Sequence, residues 1–153
     1  MLVAGVAAAV PTHAATQTPR RSAELSSIRR VIVDCTNRER ARHGLPALRQ
    51  SRPLRRAAQF HARNMLRYRF FAHKDNFGRS PAQRVLMFEK HNRFHYIGEN
   101  IAADFLTGQA ACHSWMVSAT HRHNILDPDY RWIGVGYANG GGYNRYFVQD
   151  FGG

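Results

Sequence analysis

Cysteine, lysine and acidic residues are scarce in this chain. Two cysteines, Cys35 and Cys112, among 153 residues are too few for a disulfide-built scaffold or a cysteine-based zinc site. They leave two readings: a single bridge if the protein is exported, or two small buried hydrophobic side chains if it stays in the cytosol. Two lysines accompany twenty arginines, and acidic residues number ten, for a net charge of +12. Such an excess favours acidic partners such as anionic lipid headgroups, acidic polysaccharide or nucleic acid, and bears on association rather than on fold. A bias toward arginine codons gives the same composition with no partner implied. No apolar run approaches the ~20 residues of a membrane span, so no transmembrane segment is expected in the mature chain. Internal repeats, low-complexity tracts and specific nucleic-acid motifs are absent as well.

What remains is a globular composition, 44% hydrophobic and 21% charged, at a length that suits one domain able to bury roughly two-thirds of its unfolded surface. Met1 to Val10, a short apolar run, with Pro11 and small residues after it, has the form of a secretory h-region and cleavage region. Residues 1–14 are therefore expected to be a signal peptide, though one without a basic n-region, with cutting before Ala15. Residues 15–23, polar and containing Pro19, suit a linker, and residues 24–153 the folded domain.

Leu25, Ile28, Ile32 and Cys35 recur at spacings of three and four, which predicts a helix from Glu24 that stops at His43-Gly44, ahead of Pro46. Ser51 and Pro53 open a second helix, with Leu54, Ala58, Ala62 and Met65 inward and Arg52, Arg56, Arg63 and Arg67 on a solvated face. His61 lies near the apolar stripe and reads as a hydrogen-bonded core residue. Ser80-Pro81-Ala82-Gln83 is a capping box for a short third helix reaching about Phe88, which leaves His73 on a loop. His91 and His95 fall in an irregular segment and read as exposed. Ile97 to Ile101 suits a strand or bend that points Glu99 inward. Thr107 caps a fourth helix, with Ala111, Cys112, Trp115 and Met116 on its apolar side, and the helical reading continues to Asp127-Pro128. Trp132 to Asn139 and Asn144 to Phe151, around Gly140-Gly141-Gly142, form an antiparallel hairpin. Helices followed by a closing hairpin give an α+β fold.

Chemistry concentrates in three segments: Phe71-Ala72-His73, Gly98-Glu99-Asn100 and His121-Arg122-His123. Two imidazoles and a carboxylate suit a divalent, zinc-like ion and leave a position for water or substrate, but the spacing matches no local zinc motif. His123, two residues after His121, points away from it on a helix.

FFAH at 70–73, GENIA at 98–102, Trp115 to Ser118, HRHNIL at 121–126, IGVGYA at 133–138 and FVQDF at 147–151, behind NRERARHGLPAL at 37–48, together resemble a bacterial member of the CAP superfamily. The name combines cysteine-rich secretory proteins, antigen 5 and pathogenesis-related proteins. The resemblance runs from about Ile28 to Phe151. It implies a three-layer α-β-α sandwich with a small central antiparallel sheet, and a cleft that in the family holds two histidines and two glutamates. Its histidines correspond to His73 and His121 and its first glutamate to Glu99, which become the expected metal ligands. Ser118 stands where the second glutamate would be, which removes a negative charge and a candidate general base. The family architecture puts Cys35 and Cys112 on one side of the sheet, where a bridge would contribute roughly 3–4 kcal/mol through loop entropy.

The expectation is therefore a secreted or envelope-associated protein, outside the cytoplasm, whose cleft at His73, Glu99, Ser118 and His121 binds a small-molecule or lipid-like ligand with a divalent ion. A metal-dependent, peptidase-like hydrolase is the competing reading, with Glu99, His121 or His73 as catalytic candidates activating a metal-bound water. A serine variant, Ser118 with His121, lacks a nucleophile elbow. The third reading is a basic adhesion module whose arginines hold acidic envelope polymers.

Overall fold

The structure, a computed structural model, describes residues 17–91 and 93–153. The expected signal peptide lies outside the described residues. The first helix, α1 (Gln17–Arg42), begins seven residues before Glu24, so residues 17–23 of the expected linker are its opening turns. Pro19 is tolerated there because the first N–H groups of a helix have no intrahelical partner. The helix stops as the sequence predicts: Gly44 takes a left-handed φ of 72°, which costs glycine nothing.

Beyond α1 come a two-residue strand β1 (Arg49–Gln50), α2 (Arg52–Tyr68), α3 (Pro81–Leu86), β2 (Ile97–Ala103), α4 (Gly108–Val117), α5 (Ala119–Leu126), β3 (Trp132–Asn139) and β4 (Arg145–Gly152). The α3 capping box forms, with Ser80 and Gln83 each accepting from the other's backbone N–H. In the sheet, ordered β1-β3-β4-β2, the hairpin β3/β4 and the pair β2/β4 are antiparallel. β1 runs parallel to β3, so the sheet is not wholly antiparallel. That edge strand carries no apolar alternation, and its two exposed residues left no pattern to read.

Alternation along the strands divides the core into two layers. Ile133, Val135, Tyr137, Phe147 and Phe151 pack with Ile32, Cys35, Ala111, Cys112, Trp115 and Ile125 of α1, α4 and α5. On the opposite face Ile101, Ala138, Tyr146 and Val148 meet Ala58, Ala62 and Met65 of α2. The result is the α-β-α sandwich. Cys35 and Cys112 form a disulfide across 77 residues, tying α1 to α4. Arg40, fully buried, donates to the carbonyls of Pro46, Ile125, Asp127 and Tyr130 and so pins the end of α1 to the segment leading into β3.

The single helical reading through Leu126 is interrupted. Ser118 is extended, with φ −89° and ψ 120°, and serves as the C-cap of α4 and N-cap of α5. A serine at a helix start competes for local hydrogen bonds; here its hydroxyl meets a side chain, as described below. The break turns α5 so that Asn124 bonds the Glu99 carbonyl and the Asn100 side chain, which docks α5 against β2.

Candidate ligand cleft

β2 presents the cleft's carboxylate. Its residues alternate between faces, so Glu99 points to the α2 side and Asn100 to the α5 side, where the Asn100 amide donates to the His121 carbonyl and to Gln149 Oε1. Glu99 is buried, with its side chain 1% exposed. An isolated carboxylate at that depth is strongly disfavoured, and the surrounding residues supply its compensation. Arg84 of α3, itself fully buried, bonds Glu99 Oε2 and also donates to the carbonyls of His73 and Arg79. His73 Nδ1 lies 2.8 Å from Glu99 Oε1. Both carboxylate oxygens are therefore engaged.

His73 is otherwise open, with 54% of its side chain exposed. Its loop is shaped by Asp75, whose oxygens accept from the Phe77 and Arg79 backbone N–H groups and from the Arg79 guanidinium. Despite the cost of burial, those bonds hold the Asp75 carboxyl below its usual range. His121, in the first turn of α5, turns Nδ1 to Ser118 Oγ at 2.8 Å. Burial lowers the pKa of His121, and the nearby His73 lowers it further. His73 stands on the loop before α3 and His121 in α5, near enough for the charge of one to be felt by the other.

Of the three residues singled out from the sequence, His73 and Glu99 are in direct contact and His121 bonds Ser118 instead; three further residues around Glu99 were not anticipated there. Arg84 follows the capping box, where a short helix gave no reason to expect a buried arginine. His61 reads as a core histidine and is one, fully buried with Nε2 on the Ala72 carbonyl at 2.9 Å, but it also stands 3.9 Å from Glu99 Oε2. Burial drives its pKa down to about 4, against the opposing pull of Glu99, so it is neutral. Asp150 pairs with Glu99 in register across β2 and β4. Burial first, and the Glu99 charge second, push its carboxyl well above the usual range, with Arg84 opposing, which favours the protonated form. Asp150 sits inside FVQDF, so the motif flagged the segment but not the residue. His91, His95 and His123 are exposed, as expected.

The donor set fits a cation only in part. Among the described residues no three His, Cys, Asp or Glu side chains are grouped to hold a metal ion. Glu99, expected as a ligand, has both oxygens taken by Arg84 and His73. Each imidazole, however, has Nδ1 occupied, by Glu99 and by Ser118, which leaves Nε2 to a ligand. Carboxylate behind histidine is the arrangement by which proteins orient metal-binding imidazoles.

Comparison with known proteins identifies the family of the chain. Residues 33–151 match the model of the cysteine-rich secretory protein family, CAP. The chain is 34% identical over 120 residues to the uncharacterized membrane protein YlbC of Bacillus subtilis and 32% identical over 135 residues to YkwD of the same organism. These alignments take in 78% and 88% of this chain but 33% and 51% of those proteins. Among solved structures, an extracellular protein containing an SCP domain from Bacillus anthracis superposes with a TM-score of 0.74 at 30% identity, over 84% of this chain and 41% of that one. An outer surface protein of Borrelia burgdorferi shares the fold, with a TM-score of 0.73 at 21% identity over 80% of this chain and 90% of that one. The chain thus spans a third to a half of the relatives' length, and it belongs to the cysteine-rich secretory protein (CAP) family.

Proposed function

We propose that the protein works outside the cytoplasm as a ligand-binding CAP module whose cleft takes a divalent cation at His73 and His121 and, beside it, a small or lipid-like molecule. The observation that carries this reading is the paired orientation of the two imidazoles: Glu99 holds one by Nδ1 at 2.8 Å and Ser118 holds the other by Nδ1 at 2.8 Å. Both Nε2 atoms are left open to a ligand, and imidazole nitrogen suits zinc-like ions. A bound ion would supply Lewis acidity toward an oxygen of the ligand. Ser118 does for His121 what a carboxylate would do, without the added charge, and Glu99 acts through His73. Phe71, two residues from His73, forms an exposed aromatic pair with Tyr143 at 5.9 Å, which offers apolar surface to a ligand. Location outside the cytoplasm draws on the likeness to the extracellular SCP-domain protein of Bacillus anthracis. Among the described residues no helix is long and apolar enough to cross a membrane.

The Ser118–His121 contact also has the form of a nucleophile and its base, which keeps hydrolysis as the second reading. It spans three residues at a helix start, and among the described residues no carboxylate orients the ring's other nitrogen, so binding is favoured. Calorimetric zinc titration tests the cleft assignment on which both readings depend. His73→Ala and His121→Ala should each weaken zinc at least 10-fold, and Glu99→Gln by about 10-fold as an orienting partner. Affinity unchanged in both histidine variants would refute the cleft assignment.

A further inference from the structure

The arginine row of α2 is exposed, as the sequence predicts, and three of its members also line a groove. That groove, of about 570 Å³, is lined by Arg55, Arg56, Arg63 and Arg67 of α2 and by Arg29 reaching over from α1. None of its lining residues is acidic, and none belongs to the cleft at His73, Glu99, Ser118 and His121.

The groove follows from the sheet edge. β1 covers only Trp132 and Ile133 of β3, so the rest of that strand has an open edge, which proteins must satisfy or protect. Gln59 takes over there: its amide donates to the Tyr137 carbonyl at 2.8 Å and its oxygen accepts from the Tyr137 N–H at 3.2 Å. Arg29 donates to the Val135 carbonyl at 3.1 Å and to Gln59 Oε1 at 2.7 Å. Arg29 is thereby fixed at the groove floor among like charges. Its pKa is lowered by burial and then by Arg55 and Arg63. Among the described residues none of the five arginines pairs with a carboxylate.

The aromatic residues of the groove are already covered by guanidinium groups. Arg56 lies over Phe88 at 4.7 Å, Arg67 over Tyr68 at 5.6 Å, and Arg79 over Phe60 and Phe77 at 5.2 and 4.7 Å. Such stacking holds the planar forks in place for bidentate contact with oxyanions, and it occupies one face of each ring on which a base would otherwise stack. Arg56, Arg63 and Arg67 lie along α2 with the outer two eleven positions apart, roughly 16 Å. A single anion cannot reach across that length, whereas an extended chain of anions can.

We propose that this groove is a binding site for a linear, base-free phosphodiester polymer, of the kind an extracytoplasmic protein meets in an envelope, and that it operates independently of the cleft. Arg56, Arg63 and Arg67 contact successive phosphates, and Arg29 supplies a fixed charge at the floor.

The test uses the full chain and an abasic oligodeoxyribonucleotide as probe, with a base-bearing oligonucleotide of equal length beside it, titrated by fluorescence anisotropy across a salt series. The variant Arg56→Gln/Arg63→Gln/Arg67→Gln should flatten the slope of log K against log salt by about 2, at roughly 0.7 per lost phosphate contact. A variant of equal charge change at exposed arginines elsewhere, Arg30→Gln/Arg49→Gln/Arg122→Gln, should flatten it by less than half as much. Circular dichroism confirms that both variants fold. Equal losses in the two variants would show bulk charge at work and overturn the proposal. Tighter binding of the base-bearing strand would make the groove a nucleic-acid surface and overturn it too, as would no measurable binding at physiological salt. Zinc binding should be unaltered in the groove variant, whatever the fate of the cleft reading.

Discussion

His61 is a titratable group that the folded state holds neutral down to about pH 4. Its Nε2 spends its proton on the Ala72 carbonyl, and burial brings its pKa from 6.5 to about 4. The unfolded chain takes up a proton near pH 6.5 and the folded chain does not until about pH 4. The unfolded state therefore binds more protons in that window, and stability falls as pH drops through it, by ~3 kcal/mol at the lower end. Replacing His61 with glutamine keeps a donor for Ala72 and removes the titration. Urea unfolding at pH 7.5 and pH 4.5 should show the wild type losing about 2–3 kcal/mol more than His61→Gln between the two conditions. Parallel losses in both proteins would mean that His61 is not held neutral. Glu99 makes the neutrality consequential, because a protonated His61 would compete with Arg84 and His73 for the same two oxygens.

At the scale of elements, the contact between α2 and β3 depends on glycine. A Cβ at Gly134 would overlap the backbone of Leu54 and Arg55, and one at Gly136 would overlap that of Ala58 and Gln59. Backbone cannot step aside as a flexible side chain can, so Gly136→Ala must lift α2 from the sheet and disturb the Gln59 bonds to Tyr137. The expected cost is about 3 kcal/mol in urea unfolding, at the upper end for overpacking. Gly142→Ala, where a Cβ meets nothing, should shift stability by less than about 0.5 kcal/mol. A near-neutral Gly136→Ala would refute the close approach. These glycines lie in IGVGYA, and that motif was legible in the sequence, as were the α2 stripe, the capping box and the hairpin, because periodicity and turn residues are local signals. β1 was illegible because a strand of two exposed residues has no period. The break at Ser118 was also hidden, since the residues on either side are helical in character. The site divides the same way. His73, Glu99 and His121 stand in recognisable segments, whereas the roles of Arg84 and Asp150 exist only once α3 and β4 close around Glu99. Arg29 belongs to the same class, since nothing in α1 announces that it reaches the edge of β3.

For the molecule as a whole, charge is the dominant long-range term. Twenty arginines and two lysines face ten acids, for a net +12, and among the described residues four arginines pair with carboxylates. Two competing effects follow when salt is added. Screening weakens those pairs, but Arg84–Glu99 is buried, and exposed pairs such as Arg42–Glu39 contribute little in any case. Screening also weakens the mutual repulsion of the remaining positive charges, which opposes compaction. The second effect should win. Raising sodium chloride from about 10 mM to about 150 mM shortens the screening length from roughly 30 to 8 Å, below the ~16 Å spanned by the arginines of α2. Stability should rise by on the order of 1 kcal/mol, or roughly 3 °C in Tm. The groove makes the prediction specific: with Arg56, Arg63 and Arg67 replaced by glutamine, the protein should be more stable than the wild type at low salt and should gain less from added salt. A wild type whose Tm falls over this salt range would show that ion pairs, rather than unpaired arginines, govern its electrostatics, and the groove would lose its claim to be short of a counter-ion.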